Sequence, residues 1–325
     1  MTRRKLLKLL GLTAASPLTA RAQPSNLPVI GFVNAAFRQG YARPLSSFLK
    51  GLDESGFVEG RNVTIEYRWA EGDYERLPSL ISDLVRRNVN VIAATSTPAA
   101  LAAKAATSAI PVVFTTSGDP IHLGLVASLN SPGGNVTGAT QLNEEVAPKR
   151  LELVHQLLPT ATNVGLLVNP TNPLANRLTK ELTATANALG VQLSVANAST
   201  EPELAIAFDA LVKAKVEALV IGTDVFFNSH SEEIAALALK HSIPSIYQYH
   251  EFTAAGGLIS YGGNVTESYR LAGLYVGRIL KGEKPANLPV QEVTKVELIL
   301  NLKTAKALGI TLPLSLLGRA DEVIE

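Results

Sequence analysis

Cysteine is absent from all 325 residues. Disulfides, thiolate nucleophiles, cysteine-ligated metals and the lipid-bearing cysteine that tethers many exported bacterial chains are excluded with it. Charge is sparse as well. Charged residues are 18% of the chain and hydrophobic ones 46%, a balance that excludes a disordered polymer and supplies enough apolar material for substantial cores. No segment beyond the first residues is apolar enough to cross a bilayer. No block of lysine and arginine offers nucleic-acid phosphates an electrostatic footing, so that class of partner is disfavoured. At this length two packed domains of ordinary size are expected.

The usual signatures of catalysis are also missing. No G-x-G-x-x-G follows a strand and no G-x-x-x-x-G-K-[ST] occurs, so neither dinucleotides nor nucleoside triphosphates have a glycine-lined phosphate cradle. G-x-S-x-G is absent. His250-Glu251 could open a zinc-binding helix, but the residue four after His250 is Ala254, and His122, His155, His230 and His241 show no ligand spacing. No metal and no cofactor is expected, and no catalytic constellation is complete.

What is present begins with an address. Arg3-Arg4-Lys5 precede the weakly apolar Leu9 to Ala15, and Ala20-Arg21-Ala22 ends the segment. This layout predicts a signal peptide over residues 1–22, cleaved near Ala22, of a type similar to twin-arginine leaders, with general secretion as the other route. Without those residues 24 basic face 28 acidic side chains, a net charge of −4. The expected mature protein is a freely diffusing periplasmic chain.

From Leu27 onward short β-branched runs alternate with longer amphipathic stretches, the pattern of an α/β protein with parallel sheets and helices on both faces. Strands are expected at 28–33, 63–69, 91–94 and 112–114, with helices at 44–55, 74–87 and 98–106 between them. A second series begins near Glu144, with strands at 164–168, 192–196, 218–221, 245–247, 257–261 and 296–300. No flexible linker separates the two series. Two sheets joined without a tether predict short hinge segments and a ligand cleft at the carboxyl ends of the strands.

Candidate binding residues lie where those strands end. Ser96-Thr97-Pro98 puts hydroxyls at a helix start suited to an anion such as a carboxylate, although Thr97 serves equally as a cap for its own helix. Thr116 and Asp119 end a strand of the first series; Asn169 and Asp224 end strands of the second. Asp224 suits a ligand ammonium, or a cap for the helix beyond Asn228. Tyr247, Tyr249 and Glu251 follow the strand at 245–247 and offer two phenols and a carboxylate, while a single Tyr is more often core.

Longer blocks carry a resemblance. Gly56-Phe57-Val58-Glu59-Gly60-Arg61-Asn62-Val63, Glu66-Tyr67-Arg68-Trp69-Ala70-Glu71-Gly72, Thr97-Pro98-Ala99-Ala100, Gly118-Asp119-Pro120 and Ser131-Pro132-Gly133-Gly134-Asn135-Val136-Thr137-Gly138 occur in order, followed by Ile279-Leu280-Lys281-Gly282-Glu283-Lys284-Pro285-Ala286. With these the chain resembles ABC-transporter substrate-binding proteins of the tryptophan/tyrosine-binding (TrpX-like) type, over essentially its whole mature length. The resemblance implies a type I periplasmic binding fold: two doubly wound parallel-sheet lobes joined by hinge segments. Lobe 1 would comprise residues 27–143 plus 253–282, and lobe 2 residues 144–252 plus 283–325. It implies a monomer that captures a small organic solute, an aromatic or other amino acid or a related organic acid, and delivers it to a membrane permease with its ATPase. It places the ligand against Ser96, Thr97, Thr116, Asp119, Gln141, Asn169, Asp224, Tyr247, Tyr249 and Glu251. Where members known for aromatic amino acids tend to carry a small residue and an acidic pair, this chain has Gln248-Tyr249-His250-Glu251, which leaves the ligand open. Two other functions use the same residues. One is an exported hydrolase with Asp119, Asp224, Glu251 and His250 as acid and base; the other is a soluble sensor that docks on a receptor.

Overall fold

In the first half of the chain, runs of β-branched and small apolar residues, buried on both faces, form β1 (Val29–Asn34), β3 (Val91–Ala94), β4 (Val112–Thr116) and β5 (Val136–Thr140), and the half-buried β2 (Thr64–Trp69) forms the edge. The second half supplies β6 (Asn163–Val168), β7 (Gln192–Asn197), β8 (Ala218–Ile221), β9 (Ser245–Tyr247), β10 (Ile259–Gly263), β11 (Gln291–Glu292), β12 (Val296–Asn301) and β13 (Glu322–Ile324). The structure, a computed structural model, describes residues 27–325. The expected signal peptide and its cleavage site lie outside the described residues.

One sheet has six strands in the order β11-β5-β4-β3-β1-β2 and the other seven in the order β13-β12-β10-β9-β8-β6-β7. All pairs are parallel except β10 with β12. The expected α/β class with two parallel-dominated sheets is what is found. β12 runs backwards for a topological reason. The parallel strands end at the edge that faces the other lobe, so a chain returning after β11 enters the second sheet from that edge and must run against β10.

The chain passes between the lobes three times, at residues 141–146, at 264 and at 293–295. Sequence reading gave 253–282 to the first lobe and 283–325 to the second, and the strands divide differently. β10 belongs to the second sheet and β11 to the first. Periodicity marks a strand without saying which sheet it joins, and β11 is only two residues long. The passages are tied side by side. Asn143 Oδ1 accepts the Gly263 N–H at 2.6 Å, and Val293 N–H donates to Thr140 O at 2.8 Å. Fully buried Arg150 donates to Asn143 O at 2.8 Å and to Tyr261 O at 3.1 Å.

Helix Val265–Leu280, which follows the second passage, returns to the first lobe and packs on helix Ala42–Glu54. Glycine makes this close approach possible. A Cβ on Gly273 would lie 2.0 Å from Phe48 O, and one on Gly51 would lie 1.9 Å from Arg270 O. The two helices therefore touch backbone to backbone. An apolar cluster continues from Phe32 and Phe48 in the first lobe through Tyr41, Phe226 and Phe227 to Phe208 and Ile234 in the second, so the lobes meet over a dry contact as well as through hinges.

Candidate functional site

The carboxyl ends of β3 and β4 form the first wall of a cavity between the lobes. Ser96, in extended conformation, caps helix Thr97–Ala106 and accepts the Ala99 N–H at 3.4 Å and the Ala35 N–H at 3.2 Å. Thr97 is therefore not the cap, and its hydroxyl is free for other work. It lies 2.8 Å from the Thr116 hydroxyl. Each of these oxygens also accepts a backbone N–H, from Ser117 at 3.4 Å and Gly118 at 3.3 Å. Two hydroxyls that share one hydrogen between them keep a second to donate. With the Ser96 hydroxyl hydrogen and the positive end of the helix, this wall offers donors to an anion and no negative charge.

Asp224 faces it from the end of β8, buried to 3% exposure. Its Oδ2 accepts from the Tyr74 hydroxyl and from Asn172 Nδ2, each at 2.7 Å. Its Oδ1 accepts from Asn169 Nδ2 at 3.1 Å and from the Phe226 N–H at 2.9 Å, which caps helix Val225–Ser229. Burial pushes the Asp224 carboxyl above the ordinary aspartate range, and the donors from Asn169, Tyr74, Asn172 and Phe226 pull it back. No lysine, arginine or histidine is within salt-bridge distance of it among the described residues. A buried carboxylate with dipoles around it and no counter-ion is poised for a cation brought from outside.

Tyrosines close the space. Tyr41 is buried on the first lobe, 6.1 Å ring to ring from Tyr269, and its hydroxyl accepts from Asn228 Nδ2 at 3.0 Å across the cleft. Tyr249 donates to Gln141 Oε1 at 3.2 Å, and Gln141 donates in turn to the Ser268 hydroxyl. Tyr269 donates to Thr95 O at 2.5 Å. Burial pushes the pKa of all three phenols up, that of Tyr249 to about 12, so they act as neutral hydrogen-bonding walls. The space between these groups is about 30 Å³. Tyr74 separates it from an outer chamber of about 280 Å³ at the mouth of the cleft.

A family model described as ABC transporter substrate binding protein matches residues 37–324. The chain belongs to that family. It is 31% identical over 261 residues to the tyrosine-binding protein of Clostridioides difficile (strain R20291), which covers 80% of this chain and 75% of that one. Among solved structures it is similar to an ABC domain from Streptococcus pneumoniae in complex with L-Trp. There the identity is 27% and the TM-score 0.82, covering 92% of this chain and 100% of that one. It is also similar to the ligand-free, open structure of a Clostridium difficile substrate-binding protein with adhesive properties, again at 27% identity. Coverage is 92% and 99%, but the TM-score is 0.62. At equal identity, this substrate-binding protein thus superposes better on the tryptophan complex than on the open form. The type I periplasmic binding fold is the one these neighbours share.

Six of the residues singled out in the sequence line the inner cavity of the substrate-binding protein: Ser96, Thr97, Thr116, Gln141, Asp224 and Tyr249. Asn169 acts one step back, through its bond to Asp224. Three are elsewhere. Asp119 bonds the Ile121 N–H at 2.8 Å, and its own N–H donates to Glu145, so it shapes a turn. Tyr247 is fully buried and stacks on Phe252 at 4.7 Å, because β9 alternates and its odd-numbered side chain points into the lobe. Glu251 lies 3.6 Å from Arg43 in a separate hinge cavity of about 230 Å³ that also holds His250. The four groups a hydrolase would need, Asp119, Asp224, Glu251 and His250, are thereby spread over different places.

Sequence reasoning missed Tyr41, Tyr74, Asn172, Asn228 and Tyr269. Asn172 could have been found, since Asn169-Pro170-Thr171-Asn172-Pro173 is a proline-bounded loop with two amides three residues apart. Tyr269 sits on an amphipathic helix and Tyr74 at a helix start, where periodicity makes them ordinary core or surface residues.

Proposed function

We propose that the protein is the exported, periplasmic solute-binding component of an ABC importer. Its cargo is an L-amino acid held as a zwitterion and released unaltered to a membrane permease with its ATPase. The observation that carries this reading is the pairing across one cavity of a donor-rich wall without charge (Ser96, Thr97, Thr116) and a buried carboxylate without counter-ion (Asp224). A carboxylate on the first and an ammonium on the second would bridge the two lobes. The names of the tyrosine-binding relative and of the tryptophan-bound neighbour support the amino-acid class.

Closure about the three passages follows from the same chemistry. A zwitterion whose ends sit on different lobes binds the closed form better than the open one, and only that difference can shift the balance between them. Tyr74 to Asp224 and Asn228 to Tyr41 are the contacts that closure would make. Micromolar affinity needs only about −8 kcal/mol, within reach of a few charge-assisted hydrogen bonds at about 1.5–3 kcal/mol each.

Calorimetry with L-tyrosine and the other common amino acids, and with the N-acetyl and carboxamide forms of whichever binds, tests the reading. Blocking either end is expected to weaken binding at least a hundredfold. Equal affinity for a blocked form would overturn it.

A further inference from the structure

An inner space of about 30 Å³ has no room for an extended side chain. The rest of the solute must go elsewhere. The outer chamber is its neighbour across Tyr74: Val225 lines the inner cavity and Phe226, next in the chain, the outer one, and Tyr74 on the outer wall donates to Asp224 on the inner. Its walls are aromatic. The His230 ring centre lies 4.4 Å from that of Phe226 and 5.4 Å from that of Phe37. Gly72, at φ +81°, lets the Phe37 and Phe226 rings converge; a Cβ there would stand 3.1 Å from Phe37 and 3.5 Å from Phe226.

The rim is acidic. Glu71, Asp73, Glu75 and Glu201 line the chamber and, among the described residues, no lysine or arginine does. Arg76 neutralises Glu71 at 2.8 Å, while Asp73, Glu75 and Glu201 have no cationic partner among the described residues. His230 Nδ1 lies 2.9 Å from Phe226 O and donates to it. Aromatic faces and carboxylates attract the same kind of group, a cation with an apolar stem, and above all a planar guanidinium that can stack while it hydrogen-bonds.

We propose that the outer chamber receives the distal cation of a basic L-amino acid, a guanidinium or an ammonium, whose α-carboxylate and α-ammonium occupy the inner cavity. This rests on the amino-acid reading of the inner cavity and adds to it the class of side chain selected. The test is calorimetry with L-arginine, its neutral isostere L-citrulline, its decarboxylated form agmatine, and L-tyrosine, on the full mature protein and on the double variant Glu75→Gln/Glu201→Gln. L-Arginine is expected to bind at least tenfold more tightly than L-citrulline, a preference that shrinks to threefold or less in the variant and weakens with added salt. A preference near one in the native protein, a preference unmoved by the double substitution, or binding of L-tyrosine but of no basic amino acid would overturn the proposal while the amino-acid reading stands. Agmatine binding as tightly as L-arginine would keep the outer chamber and sink the inner reading instead. Binding of none of the four would end both.

Discussion

Replacing Asp224 by asparagine keeps the shape of the inner cavity and removes its one negative charge. At about 3 Å and an effective dielectric of about 20, a carboxylate and a ligand ammonium attract by about 5 kcal/mol. Truncating one partner of such a buried pair costs about 2–5 kcal/mol in binding, or about 30-fold to several thousandfold in affinity. The free protein responds differently. Asn172 Oδ1 is held by the Leu174 N–H at 2.8 Å, so the Asn172 amide nitrogen must keep pointing at residue 224. An asparagine NH₂ placed there meets another donor, a mismatch of about 1–3 kcal/mol. Relief of the burial penalty that raises the Asp224 carboxyl offsets part of this. Asp224→Asn should therefore melt within a few degrees of the native protein and lose at least 30-fold in calorimetric affinity for its amino acid. A loss under threefold with the fold intact would refute the role given to this carboxylate.

Tyr74→Phe deletes a bond to that carboxylate made from the other lobe; about 1.5–3 kcal/mol is at stake, so stopped-flow dissociation should quicken about 10- to 100-fold, and an unchanged rate would count against closure through Tyr74. Tyr247→Phe removes a buried hydroxyl that has no hydrogen-bond partner among the described residues and should leave affinity unchanged while holding or slightly raising the melting temperature; weakened binding would return Tyr247 to the site. Gly273→Ala forces a methyl against Phe48 O, and overpacking of that kind should cost about 1–3 kcal/mol or more in denaturant unfolding. Burial, with Glu145 and Glu181 adding to it and Arg177 opposing it, holds the Glu144 carboxyl up at about 7 against an ordinary 4.5. The native state then binds this proton more tightly than the unfolded chain, so its contribution to stability falls as pH rises from about 4.5 to 7. Thermal melts should show that decline, and Glu144→Gln should reduce it.

Most of the strands and helices were legible because burial on both faces leaves a plain mark in sequence. Val91–Ala94, Ala218–Ile221 and Ser245–Tyr247 are found where their β-branched and apolar runs stand. Allegiance to a lobe was not legible for β10 and β11, since pairing partners are set by three-dimensional return paths that no local pattern encodes. In the site, Ser96, Thr97, Thr116 and Asp224 could be named because strand ends next to helix starts face the cleft in any open α/β sheet. Tyr41, Tyr74 and Asn228 are set at the cavity by contacts between lobes, while a local turn holds Asp119 elsewhere and an ion pair with Arg43 of the first lobe holds Glu251.

Capture as proposed requires a zwitterion spanning the two lobes. A crystal structure of the mature protein with its amino acid bound measures that directly. The ligand carboxylate should lie within hydrogen-bonding distance of the Thr97 and Thr116 hydroxyls and its ammonium on Asp224, with the side chain leading past Tyr74. A ligand held by one lobe alone, or in the hinge cavity beside Arg43 and Glu251, would contradict it.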